Sequence, residues 1–225
     1  MNDTARTTIL GFALLIAILG IALFAPAGTF DFPQAWVYLG IFTGAAALIT
    51  AYLWRKDPAL LERRSRAGPA AEQDPVQRTI QVFASLAFLG LLVLPALDRR
   101  FSWSHVPLAV TVAGDALVAL GFLAVFIVFK ENTFAGATIE VAGDQKVVST
   151  GPYAIVRHPM YAGALVMLLG TPLALGSWWG LCMFVPFVLV IALRSIAEEK
   201  FLAQHLSGYA EYRKRVRYRL LPPIW

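Results

Sequence analysis

Cysteine and histidine are scarce in this chain, which has one cysteine and three histidines among its 225 residues. Cys182 lies in an apolar stretch, and a single cysteine can form neither an intramolecular disulfide nor a thiolate metal cluster. His105, His158 and His205 are too few and too widely separated to predict a metal site. The sequence therefore predicts no metal centre and no disulfide framework.

Charged residues are also few, at 15% of the chain, whereas hydrophobic residues make up 58% and the mean hydropathy is +0.65. This composition excludes an ordinary soluble domain and indicates an all-α, polytopic integral membrane protein. The net charge of +5 does not require a nucleic-acid partner. Basic residues that flank membrane spans and contact membrane lipids account for it.

Apolar stretches predict about six membrane-spanning helices. The first four are long enough to cross roughly 30 Å of hydrocarbon, whereas the last two have only about 16 or 17 residues each. Gly176 and Ser177 alone separate these last two, which predicts a tight helical hairpin. The stretches are Thr8–Phe24, Ala35–Leu53, Ile80–Leu97, Pro107–Phe129, Pro159–Leu175 and Trp178–Leu193.

The distribution of lysine and arginine predicts the orientation of these spans. Arg99 and Arg100 fall on one side, and the other basic residues fall on the opposite side. Because lysine and arginine are retained on the cytoplasmic side, both termini are expected there. The compact loops and the lack of a targeting extension favour the bacterial inner membrane.

The segment from Ser149 to Tyr161 is polar, forms turns and directly precedes an apolar helix. Pro159 suits the first turn of that helix, where its missing N–H group costs nothing. The free backbone donors that follow should face the same pocket as Arg157 and His158. Together they predict an anion-binding site.

Two further elements are expected on the cytoplasmic side. Thr138–Val141 and Lys146–Val148, with Gly143-Asp144 between them, predict a small β-hairpin that forms the lid or floor of a pocket. After the last span, an aromatic and basic segment predicts an amphipathic C-terminal helix, which Gly208 interrupts.

Arg157 and His158 begin the fifth span, and Glu198 and Glu199 follow the sixth, so the hairpin should bring the four together. An anion site beside paired carboxylates suits a zwitterionic ligand. Tyrosines nearby could stack on an adenine or face a cation. Asp115 lies inside the fourth span, where an acid is costly, and its role remains open between function and structure.

The ordered set of motifs from Lys130 to the C terminus resembles the isoprenylcysteine carboxyl methyltransferase family, as a short bacterial-type member. Phospholipid N-methyltransferases are similar over the same region. The first four spans match only as generic membrane helices. The motifs are Gly151-Pro152-Tyr153, Arg157-His158-Pro159-Met160-Tyr161 with Gly163, Glu198-Glu199, and Tyr209 to Tyr212.

The resemblance implies an integral membrane methyltransferase that moves a methyl group from S-adenosylmethionine to a lipophilic acceptor at the cytoplasmic face. It divides the chain into a four-helix region, 1–129, and a cofactor-binding region, 130–225. Arg194 and Glu199 are the implied catalytic residues, with Arg194 orienting the acceptor. The implied cofactor-binding residues are Gly151, Pro152, Tyr153, Arg157, His158, Tyr161, Glu198 and Glu199.

The chain lacks the Gly-x-Gly-x-Gly loop of soluble methyltransferases, so a membrane-embedded pocket would have to hold the cofactor. A carboxylate acceptor needs no general base, whereas an amine acceptor would need Glu199 or His158. Two alternatives remain. Membrane sterol reductases, which would use NADPH, resemble the same region, and a transporter or scaffold would bind no cofactor.

Overall fold

The protein is all-helical over the residues described by this computed structural model, which are 3–72, 74–143 and 145–225. Five helices are long and apolar enough to cross a membrane, which confirms an integral membrane protein. Short 3-10 turns lie at Pro69–Ala71 and Gly151–Ala154. The α-helices are α1 (Asp3–Ala27), α2 (Pro33–Lys56), α3 (Pro58–Ser65), α4 (Pro75–Phe101), α5 (Leu108–Glu131), α6 (Pro159–Ala174), α7 (Leu181–His205) and α8 (Tyr209–Arg215). The five long helices are α1, α2, α4, α5 and α7.

Proline begins helices α2, α3, α4 and α6. At that position its fixed φ suits the helix and its missing N–H has no intrahelical acceptor to lose. Two aspartates complete the caps, since Asp57 accepts from the Leu60 amide at 3.0 Å and Asp74 from the Val76 amide at 2.7 Å. These caps set the turns that carry the chain from α2 through α3 to α4.

Glycines bring the backbones of α5 and α6 into direct contact. A Cβ atom on Gly114 of α5 would lie 2.3 Å from the amide nitrogen of Ala174, and one on Gly170 of α6 would lie 2.6 Å from the carbonyl oxygen of Gly114. Gly121 and Gly163 repeat this close approach nearer the other end of the pair. Small residues of this kind let membrane helices pack closely.

The predicted tight hairpin of the last two spans needs correction. α6 packs chiefly against α5, and α7 packs chiefly against α4. α7 also continues to His205, well past the predicted end at Leu193, so Arg194 and the two glutamates lie inside a helix. The helix continues because these polar side chains have partners within the protein.

The loops gather at two opposite ends of the helices. At one end Arg99 donates to the carbonyl of Asp31 at 3.1 Å, and the Trp178 amide donates to the Ser104 hydroxyl at 3.3 Å. At the other end lie α3, the described residues of 132–158 and the C-terminal tail, residues 216–225. Successive long helices therefore run in opposite directions, and α6 runs from the second end towards the first.

The predicted β-hairpin is wrong, because the described residues of 138–148 form no strand. Asp144, in the predicted turn, lies outside the described residues. Ile139 donates its amide to Glu72 at 3.4 Å, and Ala142 donates to the side chain of Gln145 at 3.1 Å. The alternating sequence suits an extended backbone, but side chains satisfy these two amides in place of a partner strand.

The C-terminal helix is α8, which starts after Gly208 at φ +82. Tyr209 and Tyr212 are buried on one side, while Arg213 and Lys214 are exposed. The helix has only seven residues. Its tyrosines pack against Val141, Val147 and the end of α7, and this packing fixes its position.

Candidate active site

Arg157 and Glu199 form the buried centre of the site. The Arg157 Nε donates to Glu199 Oε1 at 2.6 Å, and the two side chains are 7% and 2% exposed. His158 Nε2 lies 3.3 Å from the same oxygen, and Arg219 Nε lies 3.2 Å from the second oxygen. Glu199 thus faces three basic side chains, as a buried carboxylate requires.

Arg157 also fastens the C-terminal tail to the start of α6. Its Nη1 donates to the carbonyls of Val216 and Arg217, each at 2.7 Å. The amides of Arg157 and His158 donate to the carbonyls of Tyr218 and Arg219, each at 2.9 Å. The Arg-His segment and the tail are therefore one structural unit, although about 60 residues separate them in the sequence.

Tyr161, Glu198 and Arg194 form a second chain of contacts. The Tyr161 hydroxyl donates to Glu198 at 2.6 Å, and Arg194 Nε donates to the Tyr161 hydroxyl at 3.1 Å. The His158 ring stacks on the Tyr161 ring, with centroids 5.4 Å apart. Glu198 is 24% exposed, so this carboxylate keeps access to a ligand where Glu199 does not.

These residues line a cavity of about 590 Å³, which lies within the range of small-molecule sites. One end is polar and lies under residues 136–140 and 145–148. The other end runs between the helices and is apolar. The polar lining includes Arg64, Tyr153, Arg157, His158, Tyr161, Arg194, Glu198 and Tyr209, and the apolar lining includes Phe42, Phe88, Phe122, Leu168, Phe187 and Ile191.

The Gly151-Pro152-Tyr153 turn contributes one side chain to the cavity. Tyr153 lines it, accepts from Asn132 at 2.9 Å, and through its carbonyl accepts from the Tyr212 hydroxyl at 2.8 Å. Burial raises the pKa of Tyr153 to about 12, so its phenol stays neutral near pH 7. Gly151 and Pro152 shape the turn and do not line the cavity.

The start of α6 keeps its predicted character. No side chain caps this helix, and Pro159 occupies its first position. The Met160 and Tyr161 amides have no acceptor within the helix, whereas the Ala162 amide donates to the His158 carbonyl at 3.1 Å. Anion binding at this point stays a prediction.

Three residues at or behind the cavity wall escaped the sequence analysis. Arg64 donates to the carbonyl of Gly136 at 3.0 Å, and burial lowers the pKa of its guanidinium. Glu72 is 3% exposed and contacts Arg194. Tyr209 was named only within a motif, yet its buried hydroxyl has no partner among the described residues, and burial raises its pKa. In the sequence Arg64 is one of several basic residues that flank a membrane span, and nothing local marks Glu72.

Asp115 lies away from this site. It is on α5, half-buried, and does not line the cavity. Its Oδ1 has no hydrogen-bond partner among the described residues. Its role therefore stays open.

Comparison with known proteins identifies relatives for part of the chain. Residues 109–208 match the sequence model of the phospholipid methyltransferase family. The protein-S-isoprenylcysteine O-methyltransferase of Schizosaccharomyces pombe (strain 972 / ATCC 24843) is 37% identical over 76 residues, which cover 32% of this chain and 32% of that protein. Delta(14)-sterol reductase of Mus musculus is 30% identical over 95 residues, which cover 39% of this chain and 22% of that protein.

The matches thus span about a third or less of each curated relative. The stretch 109–208 runs from α5 to the residue before α8 and contains each site residue that the sequence predicted. It excludes Arg64, which lines the cavity, and Glu72, which contacts the lining residue Arg194.

Proposed function

We propose that this chain, whose residues 109–208 match the phospholipid methyltransferase family, transfers a methyl group from S-adenosylmethionine to a lipophilic acceptor. The observation that carries the proposal is one continuous cavity with a polar end and with an apolar end between the helices. A polar donor and a lipid-like acceptor can meet in such a cavity without leaving the protein.

The donor fits the polar end. S-adenosylmethionine supplies an electrophilic methyl on a sulfonium, together with a carboxylate, an ammonium group and an adenosine. The first turn of α6 with His158 suits the carboxylate, and Glu198 suits the ammonium or the ribose hydroxyls. Tyr209 has a buried hydroxyl without a partner, which is available to a bound ligand.

The acceptor fits the apolar end, with its reactive group near Arg194. This arginine lines the cavity, and its Nη1 has no partner among the described residues. An arginine there would orient a carboxylate, and Glu198 or His158 is available to take a proton from an amine acceptor. Positioning and exclusion of water supply the rate, because methyl transfer is an in-line displacement.

Glu199 has a different task from the one that the sequence suggested. With three basic partners and about 1% exposure, it has no free access to the acceptor. We assign it to holding Arg157, His158 and the tail, so it acts on the donor pocket through them.

We propose that the chain crosses the membrane about six times. Both termini and the polar end of the cavity then lie in the cytoplasm. α6 has 16 residues, or roughly 24 Å of helix, which nearly crosses the hydrocarbon beside α5. The division into 1–129 and 130–225 and the bacterial inner membrane are kept as proposals on the same sequence grounds.

Calorimetry on the purified protein in detergent tests whether it binds the proposed methyl donor. We expect micromolar binding of S-adenosylmethionine and S-adenosylhomocysteine and no binding of NADPH. Glu198→Gln should weaken S-adenosylmethionine binding by about 1–3 kcal/mol, the size of a lost hydrogen bond to a charged group. Glu211→Gln, an exposed acid on α8, is the matched control and should bind like the wild type.

The alternatives give different results in the same experiment. NADPH binding alone would favour a reductase, consistent with the similarity to the sterol reductase. Binding of neither ligand by a folded sample would favour a transporter or scaffold and overturn the proposal.

A further inference from the structure

A buried ion pair joins the loop before α4 to the middle of the cavity wall. Glu72 Oε1 lies 2.6 Å from Arg194 Nη2, and the two side chains are 2% and 7% exposed. The residues are 122 positions apart in the sequence. Removing two charges from water is costly, so a buried pair beside a cavity calls for an explanation other than stability.

The pair fixes the orientation of the Arg194 guanidinium. Its Nε donates to Tyr161 at 3.1 Å, and its Nη2 donates to Glu72 at 2.6 Å and to the carbonyl of Ala137 at 3.0 Å. Because the guanidinium is planar and rigid, fixing Nε and Nη2 also fixes Nη1. That third nitrogen is buried, has no partner among the described residues, and belongs to a side chain that lines the cavity.

The second oxygen of the same carboxylate holds the cover of the cavity. Glu72 Oε2 accepts from the Ile139 amide at 3.4 Å, and Ala137 and Ile139 both line the cavity. Arg78 in turn donates to the Glu72 carbonyl at 3.1 Å, which fastens the loop to the first turns of α4. The Glu72 side chain therefore connects Ile139 to α7, and its backbone carbonyl connects the loop to α4.

We propose that Glu72 is a positioning residue for the reaction: it aims Arg194 Nη1 at the acceptor and holds residues 137–139 over the site. The proposal rests on the function proposed above. It also assigns a task to the N-terminal part of the chain, because Glu72 lies outside the stretch 109–208 that matches the methyltransferase family. Helices α1 to α4 are then more than a membrane anchor for the donor-binding region.

The test compares Glu72→Gln and Glu72→Ala with wild type. Glu62→Gln is the matched control, since Glu62 on α3 is 58% exposed and pairs with Arg66 on the surface. Binding of S-adenosylhomocysteine by calorimetry and transfer of radiolabelled methyl from S-adenosylmethionine into a bacterial total lipid extract are measured for each variant. The amide of glutamine can still accept from Arg194 but lacks the charge.

We expect Glu72→Ala to reduce methyl transfer at least 100-fold and Glu72→Gln about 10-fold. S-adenosylhomocysteine affinity should stay within threefold of wild type in both, since the donor contacts are elsewhere. Glu62→Gln should change neither quantity. Wild-type transfer by Glu72→Ala, or a loss of transfer that only matches a loss of folded protein, would overturn the proposal.

A second measurement does not need turnover. The side-chain Nε–H signal of Arg194 in protein labelled with ¹⁵N-arginine, assigned by its disappearance in Arg194→Lys, reports whether the guanidinium is immobilised. It should be sharp and slow to exchange in wild type and in Glu72→Gln, and broadened or lost in Glu72→Ala. An unchanged signal in Glu72→Ala would refute the positioning role, even if no acceptor is found. Failure of the wild type to bind S-adenosylhomocysteine would refute the proposed function and leave the contact between Glu72 and Arg194 untouched.

Discussion

Glu198 and Glu199 are neighbours in sequence, yet their carboxylates have different surroundings. Glu199 is enclosed by Arg157, His158 and Arg219, whereas Glu198 contacts Tyr161 and reaches the cavity. Consecutive residues on a helix point about 100° apart, so one can face the tail while the other faces the ligand. We therefore propose that Glu199 is the structural carboxylate and Glu198 the ligand-binding one.

Removing Glu199 should affect folding before binding. Glu199→Ala leaves Arg157 and His158 buried without their carboxylate, and breaking a buried pair in this way costs about 3–5 kcal/mol. The thermal unfolding midpoint in detergent should fall markedly and the tail should become sensitive to protease. Glu211→Ala, an exposed acid, should leave the midpoint unchanged. If Glu199→Ala is as stable as wild type, the structural assignment fails.

Gly151 occupies a conformation that other residues rarely adopt. Its φ is +53, and an added Cβ would lie 3.0 Å from Cδ of Glu131. We expect Gly151→Ala to cost about 1–2 kcal/mol for the left-handed backbone, and more if Glu131 must move. Unfolding midpoints measure this cost, with Gly143→Ala as the control because open space surrounds Gly143. Equal midpoints would show that the turn adapts freely.

Local sequence reveals some of these residues and hides others. Arg157 and His158 could be predicted because a polar turn before Pro159 and an apolar run is a local signal. Glu72 could not be predicted, because its role depends on a contact with Arg194, 122 residues away. It lies among loop residues that carry no other signal. The contact exists only after α4 and α7 have packed, so no window of sequence contains it.

The contact of α5 with α6 rests on glycine. Gly121→Ala should destabilise this pair, because the new Cβ would lie 2.6 Å from the amide nitrogen of Met167 and the helices would have to separate. Overpacking of this kind costs about 1–3 kcal/mol. Gly44→Ala is the control: Gly44 on α2 has nothing within 4 Å, and alanine there should be neutral or slightly stabilising. Similar unfolding midpoints for the two variants would contradict this account.

Apolar runs predict helices well but not which helices pack together. The long helices follow from segment hydropathy alone, because a bilayer requires its spanning segments to be both apolar and helical. Two errors came from reading neighbours in sequence as neighbours in space. α6 lies chiefly against α5 and only secondarily against α7. The Ile139 amide donates to Glu72, and the Ala142 amide donates to the side chain of Gln145, in place of a partner strand.

The loops gather at two opposite ends of the helices, and the two ends differ in charge, which bears on the orientation of the protein across the membrane. The cavity, the tail and most basic residues lie at one end, and Arg99 and Arg100 lie at the other. The positive-inside rule then supports the proposal that the polar end of the cavity faces the cytoplasm. A charged donor made in the cytoplasm would reach its site without crossing the bilayer.

Cysteine labelling tests that direction. Cys182 is exposed and is first changed to serine, after which Asp31→Cys and Glu211→Cys place one thiol at each end. A membrane-impermeant maleimide should label Asp31→Cys in intact cells and Glu211→Cys only after permeabilisation. The reverse pattern would put the polar end of the cavity outside the cytoplasm, where a cytoplasmic methyl donor could not reach it. Labelling of both thiols in intact cells would contradict a fixed orientation.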